Sequence, residues 1–99
     1  MYSVNAFISW ESLINRKRKT EIPIGAIYYP HICLDNDPSS IRWSVRFSIT
    51  EMNERGESFI QLSILVNSKE AQNYCQKLVP GTTFKLIEGN IVVAHGCVI

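Results

Sequence analysis

Apolar and polar residues alternate strictly between Ile41 and Thr50. One parity carries isoleucine, tryptophan, valine, phenylalanine and isoleucine, and the other carries arginine, serine or threonine. Successive side chains of a β-strand point to opposite faces, so this pattern predicts a strand with one buried face. Arg42 and Arg46 then lie on the outward face.

The same period of two recurs elsewhere in the chain. It predicts a strand over 3–10, a strand over 59–66 with Ile60, Leu62, Ile64 and Val66 inward, and a closing hairpin that turns at Glu88-Gly89-Asn90. Residues 22–34 are apolar but are interrupted by Pro23, Gly25 and Pro30. Proline cannot donate to a strand ladder, so this segment predicts an edge strand or two short pieces around a bend.

One segment has helical spacing instead. Ser68 is a favourable N-cap, and four residues follow at the intervals of one helix face: Ala71, Tyr74, Cys75 and Leu78. Pro80-Gly81 ends the pattern. The pattern therefore predicts an all-β fold over a single domain, 1–99, with about six or seven strands in a small antiparallel barrel or sandwich and one short helix near residues 68–78. Of these alternatives we favour a six-stranded antiparallel barrel of Greek-key type.

Composition narrows the function classes. The 99 residues carry a net charge of +1, so the chain as a whole is not a polycation built for nucleic acid. No signal-peptide pattern and no apolar run of about 18 residues is visible. The three cysteines, Cys33, Cys75 and Cys97, form no CxxC pair, and we expect reduced thiols at core positions. We expect a cytoplasmic protein without a membrane segment or a cofactor.

The closing segment Phe84-Lys-Leu-Ile-Glu-Gly-Asn-Ile-Val-Val-Ala-His-Gly-Cys-Val98 resembles the end of the C-terminal β-barrel of elongation factor Tu and related translational GTPases. Further pieces are similar in the same order: Arg18-Lys-Thr-Glu-Ile-Pro23, and Gly25 followed by Tyr28-Tyr-Pro-His31. The resemblance implies a standalone copy of that barrel, whose relatives dock on a GTPase domain, on exchange factors and on tRNA.

The departures from this family limit what can be carried over. The chain has no phosphate-binding loop of the G-x-x-x-x-G-K-[ST] type, which excludes GTP hydrolysis. Ile91 stands where the family has an arginine that helps to hold tRNA, and Arg16-Lys17 replaces a Gly-Gly pair. Only Arg18 and Thr20 occupy positions comparable to tRNA contacts. The resemblance therefore implies a shared fold more than a shared function.

Two segments are candidate partner-binding sites. The first is the basic run Arg16, Lys17, Arg18, Lys19 with Thr20, which could meet phosphates or an acidic protein face and which Arg42 and Arg46 could extend. Its alternative is a solvated loop. The second is the ridge Tyr28, Tyr29, Pro30 and His31, since tyrosine is enriched at interfaces. Its alternative is one tyrosine in the core and one at the surface.

Other chemistry-bearing residues carry weaker hypotheses. His31-x-Cys33 and His95-x-Cys97 could form a four-ligand metal site if their strands were neighbours, although zinc ligands are usually spaced around turns. The acids Asp35, Asp37, Glu51, Glu54 and Glu57 lie on predicted turns, where we expect solvated carboxylates.

No nucleophile, base and orienting residue form a recognisable set, so we expect no enzyme. The favoured hypothesis is a non-catalytic barrel that binds a protein, for example an immunity, antitoxin or translation-associated module. The alternative is an accessory protein that binds RNA or tRNA through the basic loop. Sequence leaves the oligomeric state open.

Overall fold

The computed structural model describes residues 1–11, 25, 27–37, 42–49 and 51–99. Within these ranges the chain forms seven strands and one helix. In chain order they are β1 (Tyr2–Trp10), β2 (Ile27–Tyr28), β3 (His31–Leu34), β4 (Trp43–Ser48), β5 (Glu57–Ile64), α1 (Lys69–Cys75), β6 (Thr83–Glu88) and β7 (Ile91–Val98).

Six of the strands close into an antiparallel barrel. The order of neighbours is β3-β6-β7-β1-β5-β4, and β4 pairs again with β3. The predicted six-stranded barrel with one short helix is therefore confirmed for the described residues. No helix in the described part of the chain has the length and hydrophobicity of a membrane span.

The apolar segment broken by prolines forms two short pieces, as one of the two alternatives predicted. Both pieces pair with β4 in one continuous register, from Ile27↔Ser48 to Ile32↔Trp43. Between them, Pro30 keeps the ladder intact through its carbonyl, which accepts a hydrogen bond from the Val45 N–H at 3.0 Å. The edge-strand alternative is wrong for β3, which lies between β4 and β6.

The alternating apolar side chains of the strands point into the barrel and form its core. Its fully buried members include Ile8, Ile32, Leu62, Ile64, Phe84 and Leu86. In β7 the parity changes, because the pairing with β6 shifts between Leu86 and Ile87, and Val93 and Ala94 are both buried in succession. The inward-facing residues of β5 begin at Ser58, two residues before the predicted start at Ile60. Val66 lies beyond the end of the strand and packs against the core while partly buried.

Gly96 fits this core because it lacks a side chain. It stands opposite Phe84 of β6 and opposite Ile8 of β1. A Cβ built at Gly96 would lie within 3.0 Å of three carbons of the Phe84 ring. The phenylalanine ring therefore occupies the space that any other residue at position 96 would fill.

The helix packs onto the barrel through Ala71, Tyr74 and Cys75, and Leu78 is buried just beyond its last turn. Tyr74 contacts Trp43 with ring centroids 5.5 Å apart, and its hydroxyl lies 3.5 Å from the Ile32 carbonyl oxygen. α1 is shorter than the predicted segment, because its last hydrogen-bonded turn closes at Gln76.

Replacing Ser68 by alanine should lower the free energy of unfolding by about 1 kcal/mol. The Ser68 hydroxyl caps α1 by accepting a hydrogen bond from the Ala71 N–H at 3.1 Å, as the sequence predicted. Urea denaturation would measure the change. Ser68→Asp keeps an acceptor at the same place and should retain most of the stability. Equal losses in the two variants would contradict the capping role.

Candidate partner-binding face

Four of the predicted partner-binding residues lie on one outer face of the barrel: Tyr29, His31, Arg42 and Arg46. All four residues are exposed, and 65% of the Tyr29 surface is accessible to solvent. The continuous register places Tyr29 opposite Arg46 and pairs His31 with Ser44. We call this set the basic face.

The two arginines are available for a partner. Arg42 Nη1 donates to the Gly89 carbonyl oxygen at 3.2 Å, and Arg46 Nη2 lies 3.2 Å from Met1 Sδ. Neither guanidinium forms an ion pair with a carboxylate of the described residues. A guanidinium without a carboxylate partner retains its planar fork of donors for an external carboxylate or phosphate.

Tyr28 lies on the other side of the sheet from Tyr29. It is half-buried, and its ring packs 5.8 Å from Trp10 and 5.6 Å from Phe47, centroid to centroid. Its hydroxyl donates to the Glu88 carboxylate. This arrangement corresponds to the alternative of one tyrosine in the core and one at the surface. Of the predicted ridge, Tyr29 and His31 therefore lie on the basic face.

The predicted basic loop of Arg16, Lys17, Arg18, Lys19 and Thr20 lies outside the described residues. Four of the ten lysines and arginines of the chain belong to this run. The basic face is therefore defined by side chains of β3 and β4, by Arg42 just before β4, and by the exposed tyrosine between β2 and β3.

The two His-x-Cys pairs do not meet. β6 lies between β3 and β7, and Lys85 of β6 stands opposite both Cys33 and His95. His95 Nε2 lies 2.6 Å from Glu11 Oε1. The described residues contain no group of three or more histidine, cysteine or acidic side chains that could hold a metal ion.

Two expectations about single residues are corrected. Cys33 and Cys97 are half-buried on the outer face rather than in the core, and only Cys75 is buried, which raises the pKa of its thiol. Asp37 is not a solvated turn residue: its side chain is 3% exposed, and a carboxylate oxygen lies 3.5 Å from Lys77 Nζ. The surroundings of this turn in the fold, which the residue type alone could not show, bury the carboxylate.

Sequence reasoning missed Phe59. Its side chain is 70% exposed on the outer face of β5, where it packs against Phe7 with ring centroids 4.9 Å apart. The sequence alone could have identified Phe59, because the predicted inward residues begin at Ile60 and the neighbouring Phe59 must then point outward. Aromatic residues are enriched at protein interfaces, so the Phe59 ring with Phe7 beside it is a candidate contact for a partner.

Comparisons were made with protein-family models, with curated protein sequences and with solved structures, and none of the three finds a match for this chain.

Proposed function

We propose that this protein is a non-catalytic cytoplasmic barrel that binds another protein through the basic face. The observation that carries the proposal is the convergence of Tyr29, His31, Arg42 and Arg46 on one exposed surface of a closed sheet. Arginine and tyrosine are enriched at the energetic centres of protein interfaces. The paired strands of the barrel fix the backbone that carries or directly adjoins these residues, which limits the backbone entropy lost on binding.

Charge indicates the nature of the partner. The two arginines lack carboxylate partners within the described residues, so a complementary surface would bring its own acids. Such complementarity accelerates association and disfavours cationic partners. An acidic protein surface fits this chemistry, whether the module serves as an immunity or antitoxin-type protein or beside the translation machinery. Kinship with the elongation factor Tu barrel remains part of this hypothesis.

RNA is the second candidate, because the same face combines two cations with an exposed aromatic ring. Arginine contacts phosphates, and a tyrosine ring can stack on an unpaired base. Phosphate binding would make the affinity fall steeply with ionic strength. A protein partner with a few ion pairs at its rim would depend on salt less strongly.

Affinity capture from native lysate, with and without nuclease, tests the proposal. We expect a stoichiometric acidic protein that survives nuclease and is reduced at least tenfold by Arg42→Glu combined with Arg46→Glu. The matched control is Arg55→Glu with Lys69→Glu, which changes the net charge equally at exposed positions away from the basic face. Capture of RNA alone would favour the second candidate. No captured macromolecule, or equal loss with the control, would overturn the proposal.

A further inference from the structure

β5 has one edge that the described residues cover only in part. Along its other edge β5 pairs with β1 at eight successive positions, from Tyr2↔Ile64 to Ser9↔Glu57. On the β4 side it pairs at two positions, Val45↔Ile64 and Arg46↔Ser63. Before Ser63, β4 and β5 therefore diverge in the described part of the barrel.

The backbone groups on that edge can be assigned from the hydrogen bonds of β1. Ile99 N–H donates to the Asn5 carbonyl at 3.0 Å, so Asn5 directs its backbone groups away from β5. In an antiparallel ladder the direction alternates along each strand, and residues opposite each other share it. Gln61, which pairs with Asn5, and Phe59, two residues earlier, therefore direct their N–H and C=O groups away from β1, toward β4.

The Glu57 carbonyl confirms this parity from the same edge. It accepts a hydrogen bond from the Asn53 N–H at 3.1 Å, on the side of β5 away from β1. Across the gap, Val45 N–H donates to Pro30, so Val45 and Phe47 face β2 and β3 while Ser48 faces β5. Backbone donors and acceptors of two strands thus point into the space between them.

This space is a groove of about 410 Å³. The side chains that line it are Ile27, Arg46, Phe47, Ser48, Phe59, Ile60, Gln61 and Ser63. Arg46 is the one charged residue among them. A strand edge that the described residues leave open, beside an exposed phenylalanine, is a site at which another chain can add a strand.

We infer that the groove binds an extended acidic segment of the partner, which adds to β5 as a further strand. The inference rests on the proposed function and specifies how the partner is held. Backbone hydrogen bonds to Phe59 and Gln61 provide the affinity that does not depend on sequence. Arg46, which belongs to both the basic face and the groove, selects a carboxylate on the bound segment.

The alternation of a strand then defines the segment. Side chains of one parity point inward over Phe47 and Ile60, which favours valine, isoleucine or leucine. Side chains of the other parity lie outside, where one contacts the Phe59 ring and another meets Arg46. The partner segment is therefore short, apolar at alternate positions and acidic on its outer face, and it contains no proline where it pairs with Phe59 and Gln61.

A displayed library of random ten-residue peptides, selected on the immobilised full chain, tests this inference. We expect enrichment of acidic peptides with alternating apolar residues. Binding of a synthetic copy of the most enriched peptide should fall at least tenfold in Gln61→Pro, which removes the N–H that faces the groove. Gln61→Ala loses the side chain but retains that N–H, and it should bind within about twofold of the wild type.

Two further measurements keep the test decisive. If Gln61→Pro fails to fold by circular dichroism, Arg46→Glu and Phe59→Ala replace it, and each should weaken the peptide at least tenfold. In the wild type, the bound peptide should slow amide hydrogen exchange at Phe59 and Gln61. No enrichment, an enriched pool without acidic residues, or unchanged exchange at these amides would overturn the inference, and so would self-association through this edge in sedimentation experiments.

The proposed function can fail separately. A lysate partner that is lost with the Arg42 and Arg46 variant but retained by Gln61→Pro would support the basic face and reject strand addition. If peptides bind the groove but no partner is captured from lysate, strand addition would be supported and binding of a protein partner through the basic face would be rejected.

Discussion

Alanine at position 96 is expected to destabilise the barrel by about 3 kcal/mol, the upper part of the range for overpacked cores. The added methyl group would overlap three carbons of the Phe84 ring, and that ring is 1% exposed and enclosed by the barrel. Neither the ring nor the two strands that flank Gly96 can move without disturbing other buried contacts. Thermal and urea denaturation would measure the loss.

A glycine elsewhere supplies the matched comparison. Gly89 has a φ of +62°, and nothing lies within 4 Å of a Cβ built there, so Gly89→Ala costs only the left-handed backbone strain of about 1–2 kcal/mol. The double variant Gly96→Ala with Phe84→Leu should recover part of the loss, because leucine vacates the overlapping volume. Additive effects of the two substitutions would show that the overlap is not the cause.

Removal of the Tyr74 side chain should cost about 3–5 kcal/mol, the range measured for large aromatic residues replaced by alanine in cores. Tyr74 is buried between α1 and the barrel, with Trp43 against its ring. Its loss leaves a cavity and weakens the packing of α1, which Ala71, Cys75 and Leu78 still hold against the barrel. Circular dichroism in the near ultraviolet, which reports the Trp43 environment, should change together with the urea midpoint.

Tyr74→Phe separates the hydroxyl from the ring and should cost about 1 kcal/mol at neutral pH. Burial, with smaller contributions from the nearby Cys33 and Asp37, raises the pKa of Tyr74 above its usual value near 10. Above pH 10 the unfolded chain loses this proton while the folded chain retains it, so stability falls with rising pH by at most about 1.4 kcal/mol per pH unit from this group. The phenylalanine variant should show a correspondingly shallower alkaline decline. An identical pH dependence in both proteins would contradict the assignment.

Much of the fold could be predicted from the sequence, because half-buried strands alternate apolar and polar residues. The alternation around Val45 and Phe47 specified both a strand and its inner face, and Ser68 specified the start of the helix. Alternation does not specify neighbours, however. The position of β3 between β4 and β6, and the contact of Gly96 with Phe84, depend on strand order and register, which arise from the packing of the whole barrel.

Less of the candidate site could be predicted from the sequence. Outward parity identified Arg42 and Arg46, but their alignment with Tyr29 required the ladder that continues through Pro30. The edge beside Phe59 that the described residues leave open could not be predicted locally, since a strand with one covered edge has the same periodicity as a strand with two. Asp37 shows the same limit for charge, because its buried carboxylate lies near Lys77, a residue forty positions later in the chain.

The place of β1 between β5 and β7 has a consequence for synthesis on the ribosome. β1 is translated before the other described strands, and it takes its second neighbour from β7, the latest of them, as in the pair Ala6↔Val98. Until β7 has left the exit tunnel, β1 and β6 each keep an open edge, and the Phe84 ring has no Gly96 to pack against. Closure of the described barrel thus waits for β7, and a nascent chain that still lacks β7 exposes two strand edges of the kind that favours aggregation.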